Sequence, residues 1–315
     1  MKKFCLALAL SFTLIASVVG DAPVLDNTQQ TVVGAYLRDA PLKKLPQITQ
    51  DTRTQTVVDF EKIISSVAEA QAKEPMCREQ LLLFIARALK GTPYAAQTLE
   101  VGTEETLVVN LRQLDCTTYV ETIVALYLCI NNGTRSYTAF QDCLRRIRYA
   151  GGRVAYTSRL HYFSQWIEAN SREGIVTEVQ KPSPPFSSIQ RLAVDFMTTH
   201  SSLYPRLRSN PNDMEEIRSI EKGLTGKEIA YIPKNEIRND SLLKATVRNG
   251  DILAIVTAKK GLDIAHVGFA VWHSDGLHLL NASQTHRKVV EEPLPLRTYM
   301  KKHPSQTGIR VVRIN

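Results

Sequence analysis

Metal-binding signatures are missing from this chain. No Cys-x-x-Cys occurs, and no two of its seven histidines have the spacing with which a helix presents a ligand pair to zinc. No metal is therefore expected. Beyond the first twenty residues no apolar run approaches the roughly 20 residues that a membrane span needs. Internal repeats and low-complexity tracts are absent, which excludes solenoids and compositional linkers. Charge of one sign is never concentrated: the net +8 is spread along the chain. The nearest thing to a basic run, Leu144-Arg145-Arg146-Ile147-Arg148, alternates with apolar residues at helical spacing and reads as a solvated helix face. A nucleic-acid partner is not expected.

What is present begins with an export signature. Lys2 and Lys3 precede a mostly apolar stretch, Phe4 to Val19, closed by the small Gly20. Residues 1–20 read as a signal peptide cut after Gly20, so the protein is expected to be exported, periplasmic or extracellular, with no stable membrane association. Residues 21–55 carry Pro23, Pro41 and Pro46 among polar residues and read as an arm or linker. The chain after the signal is long enough for one large domain or two small ones. A hydrophobic content of 43% and a charged content of 22% suit a globular fold. Four cysteines follow the signal: Cys77, Cys116, Cys129 and Cys143. Cys129 and Cys143 stand on consecutive helical segments and either pair or remain buried thiols.

The first half is helical. Val57, Phe60, Ile63, Ile64, Val67 and Ala70 share one face, Leu81 to Leu89 forms a second helix, and Ser136 caps another that turns Tyr137, Phe140, Leu144 and Ile147 inward. The last third changes to β-rich runs at Ile252–Thr257, Ala265–Trp272, Leu277–Ala282 and Ile309–Ile314, with a tight turn at Ser274-Asp275-Gly276. Helices first and an antiparallel sheet last define an α+β fold.

Cys116 lies where these halves suggest chemistry. A β-like run through Leu107, Val108, Val109 and Leu111 precedes it, and Val120, Ile123, Val124 and Tyr127 follow at helical spacing. Asp115 can cap that helix and place Cys116 in its first turn, where the helix field is expected to lower a thiol pKa from about 8.5 toward roughly 3.5–7.5. A thiol nucleophile needs a base, and imidazole suits neutral pH. His266 sits inside a strand with Gly268, Ala270 and Trp272 on its face, two of them small enough to leave an approach open. The following turn brings Asn281 back across the hairpin near His266, where its amide oxygen can hold the imidazole tautomer. The order Cys, then His roughly 150 residues on, then Asn is the papain-like order.

Further motifs carry a resemblance. They are Gly91-Thr92-Pro93-Tyr94 with Leu99-Glu100, Leu114-Asp115-Cys116-Thr117-Thr118-Tyr119-Val120-Glu121, Ser158-Arg159-Leu160-His161-Tyr162-Phe163 with Trp166, His266-Val267-Gly268-Phe269, and Leu279-Leu280-Asn281-Ala282-Ser283. Over about residues 80–285 the chain resembles the N-acetylmuramoyl-L-alanine amidase-like family of the NlpC-type, papain-like cell-wall cysteine hydrolases. The resemblance implies a single papain-like domain over residues 56–315, with a family-specific helical and loop insertion at about 150–230. Its N-terminal helices carry the nucleophile Cys116 and its C-terminal sheet carries the base His266, with Asn281 orienting it. Many superfamily members have histidine at that third place; asparagine keeps the hydrogen bond without the charge. Tyr94 matches the superfamily's active-site tyrosine, a donor to the scissile carbonyl. Glu100, Asp115, Arg159, His161 and Ser283 become candidate substrate contacts, with Arg159 suited to a carboxylate. Glu100 and Arg159 are each equally readable as half of a structural ion pair, and Asp115 as no more than the cap.

The activity implied is hydrolysis of the amide between N-acetylmuramic acid and L-alanine in muropeptides, by a monomer without cofactor. A D-glutamyl–diaminopimelate endopeptidase of the same superfamily is the alternative, and a catalytically silent wall-binding module is the alternative of another class.

Overall fold

In the computed structural model, residues 49–315 are described, apart from Val101, Thr103 and Pro182. The expected signal peptide and residues 21–48 of the expected arm lie outside them. Helix α1 (Gln50–Lys73) starts inside the stretch read as arm, where the Thr49 hydroxyl accepts the Thr52 N–H at 3.1 Å. It is followed by α2 (Arg78–Ala88), α3 (Cys116–Asn131), α4 (Tyr137–Arg148) and α5 (Phe163–Arg172). Strand β1 (Val176–Val179) and β2 (Ser188–Arg191) come next, then the short helices α6 (Phe196–Thr199) and α7 (Pro205–Ser209), and α8 (Pro211–Leu224). The chain closes with β3 (Glu228–Pro233), α9 (Ser241–Thr246), β4 (Ile252–Thr257), β5 (Ile264–His273), β6 (Gly276–Ser283), β7 (Lys288–Glu291), α10 (Leu296–Lys301) and β8 (Gln306–Ile314).

Helix α3 is rich in β-branched residues, which lower intrinsic helix propensity. Packing holds it instead: Tyr119, Val120, Ile123, Val124, Leu126 and Tyr127 are all buried. Its ends are fixed chemically. Asp115 caps the start, and Gly133, at φ 72°, turns the chain out of the helix at the end. There the Gly133 N–H bonds the Ile130 carbonyl and the Thr134 N–H bonds the Cys129 carbonyl, both at 3.0 Å, closing a Schellman motif.

The eight strands form one antiparallel sheet in the order β2-β3-β8-β4-β5-β6-β7, with β1 also on β8. One sheet face packs against α1 to α5 through Val267, Phe269, Val271, Leu280 and Ala282. Each of these side chains larger than alanine, fully buried, contributes about 1.5–3 kcal/mol. The face of Ala270 is not open, as the small residues there suggest. It is covered by a second core of Leu253, Ile255, Leu277, Leu279, Leu296 and Met300. A third cluster, around Tyr156, Tyr162, Phe196 and Ile217, sits within the segment expected to be helix and loop. That segment also supplies β1 and β2 to the sheet. No helix among the described residues is long and apolar enough to cross a membrane.

Candidate active site

The approach to Cys116 is strapped down before the helix begins. Leu107–Leu111 is not a strand; the backbone pairing comes later, where Leu114 bridges Tyr94 in parallel. The Leu114 N–H bonds the Pro93 carbonyl and the Ala95 N–H bonds the Leu114 carbonyl, both at 3.1 Å. The Tyr94 N–H reaches the Arg287 carbonyl at 2.9 Å, tying the same segment to the β6–β7 turn. Asp115 then caps α3: its Oδ1 accepts the Thr118 N–H at 2.8 Å, while its own N–H bonds the Thr118 hydroxyl at 2.9 Å. Tyr119 sets the depth of the helix, packing edge-on to Phe269 at 5.8 Å and donating to the Ala86 carbonyl at 2.9 Å.

Cys116 is consequently the first residue of α3, as its sequence implies, and 2% exposed. Its sulfur lies near the backbone N–H of Val267, the residue after His266, whose dipole favours the thiolate. The electrostatics differ from the expectation of an acidic thiol. Burial, then the Asp115 charge, pushes the Cys116 thiol up to about 12, against the opposing Val267 N–H. Desolvation of a thiolate inside packed side chains outweighs the field of one helix end. At neutral pH the resting sulfur therefore carries its proton.

His266 is aimed by a bulge. Ile255 pairs with His266 but Val256 pairs with Ile264, so Ala265 is an extra residue in β5 just before it. His266 is 4% exposed. Its Nε2–H donates to Asn281 Oδ1 at 2.8 Å. The direction follows from the other end of the amide: Asn281 Nδ2 faces three acceptors, the Leu279 carbonyl at 3.3 Å, the Val290 carbonyl at 3.5 Å and Glu292 Oε1 at 3.2 Å. Oδ1 must then face the ring, and the proton of a neutral imidazole sits on Nε2. The Nδ1 is left bare. It is buried and has no hydrogen-bond partner among the described residues. Burial holds this imidazole below the ordinary histidine range, opposed by the Asn281 bond and the Glu292 charge.

Gly268 makes the hairpin contact feasible. A Cβ there would stand 2.7 Å from the Leu280 carbonyl and 2.9 Å from Asn281 Cβ. The space that its small size suggests for an approaching molecule is filled by β6, which is how Asn281 comes within reach of His266.

On the other side of Cys116 a cleft of about 60 Å³ runs past Asp115 and Thr117 and gathers Glu100, Arg159 and His161 with Gln97 and Glu121. Four candidate contacts thus meet, but two of them meet each other. Arg159 is paired with Glu100, donates to the Leu99 carbonyl at 3.2 Å, lies 3.5 Å from Glu105 and stacks over Tyr156 at 5.0 Å. Its guanidinium is engaged inside the protein rather than offered to a carboxylate. Beside it, Glu121 and Arg148 form a pair at 2.7 Å with both side chains buried. The basic run is therefore solvated at Arg145 and Arg146 but not at Arg148. His161 donates from Nε2 to the Tyr156 carbonyl at 2.7 Å, and burial, then Arg159, holds it well below the usual histidine range. Ser283 stands apart, at the end of β6, where its hydroxyl accepts the His286 N–H at 3.4 Å.

Glu292 is absent from the sequence-based candidates. Its signal was period two: Asn281 pairs with Val290, and two residues on, Glu292 falls on the same face. All four cysteines of the described residues are free thiols, with Cys77 exposed. No group of metal-ligating side chains occurs among the described residues.

Comparison with known proteins identifies the family. Residues 84–309 match the N-acetylmuramoyl-L-alanine amidase-like family, AmiA-like. The chain is similar to the crystal structure of an N-acetylmuramoyl-L-alanine amidase from Bacteroides uniformis, at 37% identity and a TM-score of 0.71, over 76% of this chain and 99% of that one. It is also similar to a candidate xylanase from Bacteroides fragilis, at 39% identity and a TM-score of 0.68, over 73% of this chain and 99% of that one. A Legionella pneumophila protein shares the fold at 22% identity and a TM-score of 0.59, over 82% of this chain and 96% of that one. No curated protein sequence matches. By the family match and the Bacteroides uniformis similarity together, the chain belongs to the N-acetylmuramoyl-L-alanine amidase-like family.

Proposed function

We propose that this chain is an exported cell-wall cysteine amidase of the papain-like, NlpC-type superfamily, cleaving the amide between N-acetylmuramic acid and L-alanine of muropeptides. The observation that carries the reading is the bare, buried Nδ1 of His266, with its opposite nitrogen bonded to Asn281. Other buried side-chain atoms among the described residues also lack a protein partner; this one is an imidazole nitrogen whose tautomer Asn281 fixes, so it is an acceptor ready for a proton.

The cycle starts from a neutral thiol and a neutral imidazole, which close to hydrogen-bond distance as substrate opens the groove, since Nδ1 has no partner at rest. Cys116 Sγ attacks the lactyl carbonyl carbon while His266 Nδ1 takes the thiol proton, forming the S–C bond and an oxyanion. The backbone N–H of Cys116 at the start of α3 and the Tyr94 hydroxyl stabilise that oxygen; one such donor is worth about 2.7–4 kcal/mol of barrier. His266 then gives its proton to the alanine nitrogen as the C–N bond breaks. Water attacks the thioester, His266 takes a water proton, and the muramyl acid leaves with the thiol regenerated. Because Cys116 is 2% exposed, the groove beside it must widen as substrate enters. Asp115 and His161 line the approach, while Glu100 and Arg159 brace its wall.

Two other readings have less behind them. An endopeptidase that grips a free peptide amino group would use Asp115, whose carboxylate here holds the first turn of α3. A silent wall-binding module gives no account of the unpaired Nδ1. The test is incubation with defined muropeptides and mass identification of products. Free peptide beginning at L-alanine is expected, lost in Cys116→Ala. A sugar that keeps a dipeptide means the endopeptidase, and an active Cys116→Ala overturns the cysteine mechanism.

A further inference from the structure

Behind Asn281 stands a carboxylate that the cysteine mechanism does not yet use. Glu292, in the segment between β7 and α10, is 4% exposed. Its backbone is fixed at both ends: its N–H bonds the Leu279 carbonyl at 2.8 Å, and His278 Nδ1 donates to its carbonyl at 2.7 Å. Its side chain is forked between two groups. Oε1 accepts Asn281 Nδ2 at 3.2 Å and Oε2 accepts His286 Nε2 at 3.1 Å.

We infer that Glu292 is a positioning residue of this site, locking the Asn281 amide so that its oxygen faces His266 and supplying the negative charge that supports the imidazolium. The inference rests on the cysteine mechanism proposed above. An asparagine amide has two orientations of nearly the same shape. With the amide reversed, an NH₂ would face the His266 Nε2–H, donor against donor, and the proton would be driven to Nδ1, where it blocks the base. The two backbone acceptors of Asn281 Nδ2 lie at 3.3 and 3.5 Å, near the limit of a hydrogen bond. The bond to the carboxylate is charge-assisted and the shortest of the three, so it carries the orientation. The same charge acts on the ring through the amide. It raises the proton affinity of His266, against burial and against His303.

The groups facing Glu292 are Asn281 and His278 from β6, His286 from the β6–β7 turn, His266 from β5 and Tyr299 from α10. Burial and then the Glu292 charge push the Tyr299 phenol up, so it stays protonated across the working range.

The experiment compares Glu292→Gln with the unaltered enzyme on a defined muropeptide. Glutamine keeps the shape and one acceptor and removes the charge. A fall in kcat of roughly tenfold is expected, a fraction of the about 10²–10⁴ that a positioned base supplies, with KM little changed. The acid limb of kcat/KM should move to lower pH, because His266 without the carboxylate releases its proton more easily. In an Asn281→Ala background the Glu292→Gln change should add little, since its path to His266 is already cut. Wild-type kcat with an unmoved acid limb overturns the inference, and so does full additivity in the double variant. If Glu292→Gln does not fold, Glu292→Asp serves. It retains the charge but withdraws the carboxylate by one methylene, so kcat should fall with the limb unmoved, and a wild-type kcat overturns the inference. Cys116→Ala separates the two levels: an active Cys116→Ala means that the cysteine mechanism itself has failed.

Discussion

The two sides of Cys116 treat polar groups differently. On the strand side, His266 has one nitrogen bonded to Asn281 at 2.8 Å and the other buried without a partner. On the loop side every guanidinium near the cleft is matched: Arg148 with Glu121 and the Val108 carbonyl, Arg159 with Glu100, Glu105 and the Leu99 carbonyl. Both sides are buried, so burial does not distinguish them. The kind of group left unmatched does. On the loop side the charged pairs are complete and contribute to the fold with nothing to offer a substrate, while the group left without a hydrogen-bond partner in the cleft is a hydroxyl, Thr117 Oγ1. On the strand side the group left without a partner is an imidazole nitrogen, which can take and give a proton near neutral pH. The proposed mechanism puts chemistry on the strand side and architecture on the loop side.

The sharpest way to break that assignment is to remove His266. With the proposed base gone, His266→Ala should lose about 10²–10⁴ in kcat, about 2.7–5.5 kcal/mol of barrier, while the fold, which loses the partner of buried Asn281 Oδ1, gives up about 1–3 kcal/mol and still unfolds cooperatively. Comparable activity in the variant sinks the division.

The loop side should answer in the opposite currency. Arg148→Ala strands Glu121, whose carboxyl burial already pushes up, and should destabilise the fold by about 3–5 kcal/mol in denaturant unfolding. Replacing both partners, Glu121→Leu with Arg148→Met, should recover most of that loss, because no buried charge is left unpaired and only the Val108 carbonyl loses a donor. If the double variant is as unstable as Arg148→Ala, the pair does more than satisfy itself.

Gly268→Ala tests whether the strand side depends on close approach. A methyl 2.7 Å from the Leu280 carbonyl must push β6 outward, at about 1–3 kcal/mol of stability, and Asn281 moves with it. Activity should fall along with stability, and the acid limb of kcat/KM should move to lower pH, since His266 loses the bond that favours its charged form.

This contrast also marks what the sequence could reveal. Helices α1 to α4 and strands β4, β5, β6 and β8 stand close to where periodicity puts them, because each buries one face or a whole surface over several turns or pairs. The His266–Asn281 contact was readable because a tight turn fixes hairpin register within a residue or two. Strands β1 and β7 were not, being four residues long with mixed polarity, and β1 finds its partner only in β8 at the end of the chain. The Arg159–Glu100 pair joins residues 59 apart through loops without period, so the two candidates could be named but not matched. The thiol's charge state was misjudged for a related reason. A helix start is visible in Asp115-Cys116-Thr117-Thr118, whereas the sheet and α2 closing around it are not.

Asp115 gives the smallest effect and the finest test, since it belongs to both sides at once. Its carboxylate caps α3, and its charge is the second cause, after burial, of the high Cys116 thiol pKa. Asn caps a helix about as well as Asp, so Asp115→Asn should change stability by no more than a few tenths of a kcal/mol. Removing the negative charge should nevertheless ease ionisation of the sulfur, because a like charge is what opposes the thiolate. Iodoacetamide reports this directly, as it reacts with the thiolate. In the parent, exposed Cys77 should be alkylated first and Cys116 slowly, the reverse of what an acidic thiol at a helix start would give. In Asp115→Asn, alkylation of Cys116 should quicken at a given pH while Cys77 is unchanged. Equal Cys116 rates in the two proteins would mean that burial alone sets the thiol, and that the cap has no part in the chemistry beside it.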